Sequence, residues 1–261
     1  MPELTKVNPK VAQKTIIYGE SKTGKSRMAM RLAKYHKLLW FDTEQSLAAL
    51  LEPDNLDPKY RGNIQYIKLP DNAETPLAAM ALNKVFSFKP TKICEVHGAV
   101  DCPICKTGEL IDLKTVDLDT IIVVDSFTQL VTSWMTMISK GKPEGYKFQF
   151  DDWAMLAFYG KKFLSNVQAC DKNIIIISRA IEVELEDSTK KLVPEGGSRN
   201  FSTTVPGFFD HVVFTHLKGK THAVGSSTTY TMSAMTGSRT NKALESADKE
   251  LYTPLELIYG N

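Results

Sequence analysis

"KTIIYGESKTGKSRMAMRLA", Lys14 to Ala33, decides the fold. Its opening residues, Lys14-Thr15-Ile16-Ile17-Tyr18, are a β-branched run that reads as a buried strand, and Met28, Leu32 and Ala33 recur at helical spacing. Between them, Gly19-Glu20-Ser21-Lys22-Thr23-Gly24-Lys25-Ser26 fits the phosphate-cradling pattern of two glycines, five apart, closed by Lys and Ser. The order is strand, glycine loop, helix. Gly19 and Gly24 accept backbone angles that other residues resist, so consecutive amides from Gly19 through Arg27 can turn onto phosphate oxygens at the positive end of the new helix. Lys25 would reach the β and γ phosphates, and the Ser26 hydroxyl would ligate magnesium. The bland alternative, a Gly/Ser turn with a solvated lysine, leaves both flanks unexplained.

The 261 residues suffice for one large α/β domain or two small ones. Hydrophobic residues make up 43% and charged residues 24%, the balance of an ordinary globular protein. A formal charge of +2 is too small to argue for a nucleic-acid partner, so that case rests on where Lys and Arg are placed. No apolar run is long enough to span a bilayer, and Met1 to Lys14 has no apolar signal region. The expectation is a cytoplasmic protein.

Strands are expected at Thr15–Gly19, Leu38–Asp42, Ile64–Leu69, Thr120–Asp125, Asn173–Ser178 and His211–Thr215. Helical patterns lie at Lys25–His36, Thr75–Phe86, Phe127–Ser139 and Trp153–Cys170. Such alternation builds a mainly parallel sheet. Later, Ile181–Leu185 and Lys191–Val193 flank the turn-like Asp187-Ser188-Thr189, and Val212–Phe214 and Thr228–Met232 are further strands, so antiparallel hairpins are expected at the sheet edge. Without internal repeats or low-complexity linkers, the simplest organisation is one domain over 1–261 with an insertion at 90–115.

A magnesium nucleotide needs an acidic group across the metal, at the end of a neighbouring buried strand. Thr120-Ile121-Ile122-Val123-Val124-Asp125 supplies one, and Asp125 would hold the metal directly or through water. In "LWFDTEQSL", Leu39 to Leu47, a strand ends at Asp42-Thr43-Glu44. Carboxyl ends of parallel strands share one edge, so Glu44 can face the γ phosphate and orient water; otherwise it is an acid in the first turn of the next helix.

"ICEVHGAVDCPICKTGEL" gathers three of the four cysteines. Two residues separate Cys94 from His97 and two separate Cys102 from Cys105, so each pair presents two soft ligands from one tight turn, helped by Pro103 and Gly108. A closed, structural, tetrahedral zinc site follows; a disulfide is disfavoured in a reducing cytosol, and Cys170 reads as a core residue.

Several stretches, in order, resemble the ATPase core of RecA-type recombinases. "GESKTGKS" is similar to the family's phosphate loop, "WFDTEQSL" to the segment whose Glu activates water, and "LPDNAETPLAAM" to the lead into the next helix. "IIVVDSFTQL" resembles the metal-binding strand. "DDWAMLAFYGKKFLSNVQACDKNIIIISRA" has the family's helix and strand lengths, and "VPEGGSRNFSTTVPGFFDHVVF" is similar to the second DNA-binding loop and its following strand. The resemblance covers roughly residues 14 to 217. A full bacterial recombinase carries extra terminal segments, and the stripped core here is similar to short bacteriophage RecA-like ATPases of single-strand annealing recombination. The resemblance implies an α/β, RecA-like P-loop NTPase core with a mainly parallel central sheet, antiparallel edge hairpins and a small zinc-knuckle insertion. It implies an ATPase, DNA-stimulated, that binds and pairs single-stranded DNA with ATP between subunits of a homo-oligomer.

By position, Lys25, Ser26, Glu44 and Asp125 take the roles already argued, and Ser178-Arg179 stand where the family has a γ-phosphate-sensing polar pair, Arg replacing the usual amide. The DNA loops fall near Ser139–Asp152, with Lys140, Lys142 and Lys147 beside Tyr146 and Phe148, and near Ser188–Pro206, with Lys190, Lys191, Arg199 and Phe201. Cations there would meet backbone phosphates while rings stack on bases; ordinary solvated loops share this composition. Arg239 and Lys242 are candidates to act on a neighbouring subunit's phosphates, or else a surface pair. A single-strand-binding or replisome protein is a further candidate partner; rival readings are a helicase-like or packaging motor, and a nucleotide-gated scaffold or loading partner of a replisome.

Overall fold

A strand with no polar alternation must be covered on both faces, and five such runs dictate the architecture. The computed structural model describes residues 12–46, 51–53, 55–72, 74–94, 96–105, 108–185, 188–225, 233–239 and 253–260. In chain order its strands are β1 (Lys14–Gly19), β2 (Leu38–Asp42), β3 (Ile64–Lys68), β4 (Thr91–Cys94), β5 (Ala99–Val100), β6 (Glu109–Ile111), β7 (Ile121–Asp125) and β8 (Asn173–Glu184). They continue with β9 (Lys190–Pro194), β10 (His211–Lys218), β11 (Thr221–Gly225), β12 (Ser233–Ala234) and β13 (Gly237–Ser238). The helices are α1 (Lys25–Met30), α2 (Leu77–Val85), α3 (Phe127–Ser139), α4 (Phe150–Ala169), α5 (Arg199–Thr204) and α6 (Thr253–Tyr259).

The main sheet runs β11-β10-β1-β8-β7-β2-β3. Every pair from β10 to β3 is parallel, and antiparallel pairing appears at β10–β11, β8–β9 and β10–β13. This is the mainly parallel sheet with antiparallel edges that the resemblance implies. The expected strand at Thr228–Met232 lies outside the described residues. Period-two alternation sends Ile16, Phe41, Val124, Ile176 and Phe214 to one face, where α2, α3 and α4 cover them. Ile17, Trp40, Val123, Ile175 and Val213 go to the other, under α1 and α6. On the first face Phe127, Trp134, Phe86 and Phe163 meet edge-on or stacked, with centroids 4.9–6.2 Å apart, geometry worth about 1 kcal/mol per pair beyond the area buried.

The helix expected over Lys25–His36 is split: α1 gives way to a 3-10 turn at Arg31–Lys34. Asn63 Nδ2 takes the Ala33 carbonyl at 2.8 Å, satisfying a helix-end acceptor from another segment. β8 runs past the expected Ser178 to Glu184 because β9 pairs with its second half. β4, β5 and β6 form a separate three-stranded antiparallel sheet in the order β5-β4-β6. It is anchored by Ile93 and Ile111, which join the core cluster together with Leu113 just beyond β6, and by a Lys84–Asp101 ion pair to α2.

Candidate nucleotide site and metal cluster

The parallel register aligns strand ends: Gly19 faces Arg179 and Thr215, and Asp42 faces Asp125. Every loop leaving these strands therefore opens on one edge. The 19–26 loop leaves β1 there. Gly24 stands at φ 88 as the N-cap of α1, a conformation that favours glycine. Gly19 has a different constraint, since a Cβ would sit 2.2 Å from the Thr215 carbonyl oxygen. Thr215 also supports the loop: its hydroxyl is 2.8 Å from that of Thr23 and donates to the Tyr18 carbonyl at 3.3 Å.

Lys25 Nζ lies in the loop's curl and donates to the carbonyls of Gly19 at 3.0 Å and Glu20 at 2.6 Å. Burial pushes the ammonium down to about 8; Asp125 and Glu44 favour its charge, and Arg179 opposes it. Asp125 is buried, and burial, with Glu44 and Asp42 nearby, pushes its carboxyl up to about 7; the Ser26 hydroxyl donates to it, and Lys25 pulls the other way. Its Oδ2 is buried with no hydrogen-bond partner among the described residues. A buried carboxylate oxygen left unpaired beside a hydroxyl and an ammonium suits a hard cation, so Ser26 and Asp125 fit a magnesium ion.

Glu44 is exposed on the same edge, and its carboxylate accepts the Ser126 hydroxyl while its amide donates to Asp42 Oδ1 at 3.0 Å. Ser126 is joined to Asp125 by a cis peptide and also caps α3. The Thr43 hydroxyl knits these ends together, donating to the Asp125 and Ser126 carbonyls at 3.2 Å and accepting the Ser126 amide at 2.8 Å. Tyr66 holds Asp42 Oδ2 at 2.8 Å. Sequence reasoning missed Thr43, Ser126, Tyr66 and Thr215; the available signal was that Thr43 and Ser126 each follow an apolar strand directly, at ends that parallel pairing makes neighbours.

Ser178 and Arg179 divide. Ser178 is fully buried with its hydroxyl donating to the Arg179 carbonyl at 3.0 Å, whereas Arg179 reaches the surface and pairs with Glu195 at 3.3 Å. Around the first expected DNA loop Lys140, Lys142 and Lys147 are exposed; Lys142 lies 5.0 Å over the Tyr146 ring, and Phe148 meets Trp153 edge-on at 5.2 Å. In the second, Arg199 is exposed at the start of α5, Lys190 pairs with Glu182 at 2.7 Å, and Lys191 sits in β9. Phe201, expected to stack on bases, is 3% exposed because its ring fills the space over Gly160 of α4. Arg239 pairs with Asp210 at 3.0 Å and lines a cavity of about 560 Å³ at the opposite, amino edge of the sheet. Lys242 lies outside the described residues.

The second cluster is held by the small sheet. Cys94 ends β4, and Cys102 and Cys105 flank the Pro103 turn. Their sulfurs lie 3.6, 3.5 and 3.1 Å from His97 Nδ1, and all four ligand atoms fall within 4.8 Å of one another. A tetrahedral zinc with bonds of about 2.0–2.3 Å spaces its ligands roughly 3.5–3.8 Å apart, so the cluster has the size of that shell. The His97 backbone amide donates to the Cys94 thiol and pushes it down to about 7. All four cysteines are free of disulfides.

A family model described as an AAA domain, AAA_24, matches residues 12–242. Among curated proteins none matches the sequence. Two solved structures are similar: the RadB recombinase, at 14% identity over 82% of this chain and 80% of that one with a TM-score of 0.45, and the flagellar accessory protein FlaH from Methanocaldococcus jannaschii, at 16% identity over 82% and 76% with a TM-score of 0.41. No described helix is long and apolar enough to cross a membrane.

Proposed function

Because the chain belongs to the AAA-domain family AAA_24, we propose that it is an ATPase whose nucleotide lies on the 19–26 loop and whose hydrolysis is coupled to single-stranded DNA. The carrying observation is the orphaned Asp125 Oδ2 beside the Ser26 hydroxyl and the Lys25 ammonium. Loop amides and Lys25 would hold the phosphates, and Ser26 and Asp125 the magnesium. When bound, that ion would neutralise charge on the phosphates. Glu44, fixed by the Ser126 hydroxyl and the Asp42 carboxylate, orients the attacking water and takes its proton at a carboxylate oxygen.

DNA would lie along Lys140, Lys142, Lys147, Lys190, Lys191 and Arg199, near Arg179, whose peptide amide is tied to Thr128 at 2.9 Å in the helix that follows Asp125. In this reading the molecule is one RecA-like domain over 1–261, residues 90–115 form its zinc-binding insertion, and it works in annealing or recombination as a homo-oligomer. Zinc at Cys94, His97, Cys102 and Cys105 is supported by the spacing of the four ligand atoms.

The test is ATP hydrolysis with and without single-stranded DNA. Wild type should turn over faster with DNA, and Lys25→Ala should lose at least about a hundredfold in kcat/KM with its Tm unchanged. Wild type that binds no nucleotide in magnesium overturns the proposal. DNA-independent turnover with tight protein binding would favour the scaffold reading, and ATP-driven unwinding of a forked duplex the motor.

A further inference from the structure

α4 buries Leu156, Gly160, Phe163, Leu164 and Val167 on one side. On the other, Asp151, Ala154, Met155, Phe158, Lys161 and Lys162 recur at i, i+3, i+4, i+7, i+10 and i+11, a single stripe along the helix. All six are exposed, Met155 at 46% and Phe158 at 57%. The helix is firmly started: Gln149 and Asp152 form a reciprocal capping box, and Trp153 is pinned by Phe148. A well-ordered helix that presents aromatic and thioether groups to water invites a partner.

The order of charges along the stripe selects that partner. It carries one acid at its amino end, two bases at its carboxyl end and apolar groups between. Two such helices side by side in parallel would oppose like charges. Packed antiparallel about a two-fold axis level with Leu156, Asp151 of each copy faces Lys161 of the other, with Lys162 one residue further, and Ala154 faces Phe158, small against large. Both ends are satisfied at once, as an isologous contact requires.

We propose that α4 is a self-docking surface through which two copies of this chain associate antiparallel, independently of nucleotide. The stripes of two copies together bury under about 1,000 Å², below the roughly 1,200–2,000 Å² of stable complexes, so the dimer is of micromolar strength and exchanges rapidly. This contact is separate from the ATP-bridged assembly that the resemblance implies and stands or falls without it.

Sedimentation of the full chain, free of nucleotide and DNA, between about 1 and 100 µM tests it. Wild type and Lys25→Ala should both dimerise with rising concentration, and Phe158→Asp should weaken the dimer at least about tenfold with Tm unchanged. Asp151→Lys alone opposes three bases, and Lys161→Glu with Lys162→Glu opposes three acids, so each homodimer weakens. An equimolar mixture of the two variants restores both charged ends and should recover wild-type association. A chain monomeric throughout, a dimer seen only with ATP, or a mixture no tighter than its components overturns the proposal. So does a Phe158→Asp protein whose mass distribution is unchanged but which no longer binds an oligothymidylate; that result would assign the face to nucleic acid.

Discussion

The nucleotide loop and the Cys94–Cys105 cluster are both short turns that converge polar groups, and they are held in opposite ways. The site's groups come from the ends of β1, β2, β7 and β10, buried strands far apart in sequence that β8 joins into one sheet. Thr215 braces the loop and Thr43 braces Asp125 and Ser126, so much of the site's shape is set by protein alone. The cluster's four ligands lie within twelve residues on a sheet of three short strands, and its exposed turns bury little beneath them. In the zinc reading proposed above, the metal supplies the order of those turns, while Ile93 and Ile111 anchor the sheet beneath them. On that reading the long-range site is prebuilt and the local one depends on what it binds.

The sharpest way to break this contrast is chemical. Glu44→Gln keeps the shape and hydrogen bonds of the edge while removing a proton acceptor, so turnover should fall about a hundredfold or more with nucleotide affinity within about threefold. Parallel loss of both would mean that Glu44 builds the site. At the other region, Cys102→Ser should lower metal content from one zinc per chain to none and reduce Tm by about 5–10 °C, while nucleotide affinity stays within about threefold. A collapse of nucleotide binding would show that the two regions form one unit.

A smaller effect tests the strain at the prebuilt edge. Burial lifts the Asp125 carboxyl to about 7 from an ordinary value near 3.8, so the folded chain keeps a proton through a window in which the unfolded chain releases it. Stability contributed by this group therefore falls as pH rises from about 4 to 7. Asp125→Asn should raise the Tm of the nucleotide-free protein by a few degrees at pH 8 and by less at pH 5, read by calorimetry; equal shifts at both would remove the carboxylate as the cause. Smallest of all, Thr215→Val removes the hydroxyl that touches Thr23, and KM for ATP should rise about two- to fivefold with kcat unchanged. A change in kcat alone would place Thr215 in the chemical step.

Much of this was legible beforehand, for identifiable reasons. Runs such as Ile121–Val124 and Ile174–Ile177 admit little but doubly covered strands, and β2 appears over Leu38–Asp42 as read. The ligand spacing of Cys94, His97, Cys102 and Cys105 is local, so the cluster also closes as read. What escaped depends on neighbours. Phe201 in a polar loop looks available for stacking, and only the missing side chain of Gly160, forty-one residues earlier, draws it inside. Ser178 reads as a polar residue at a strand end, yet it lies inside β8, where the hydroxyl of Thr128 meets it from another element at 3.3 Å.

By itself the amino-acid sequence determined the strand–loop–helix unit at Lys14–Met30, the acids that end β2 and β7, and the turns that gather Cys94, His97, Cys102 and Cys105, because each is encoded by neighbouring residues and short-range backbone preference. Tertiary structure alone decided which acid is desolvated, which arginine finds Glu195, which hydroxyls brace the loop and which face of α4 stays wet. Those outcomes follow from burial and strand order, and both depend on groups that folding brings together from separate elements, as Thr23 and Thr215 are.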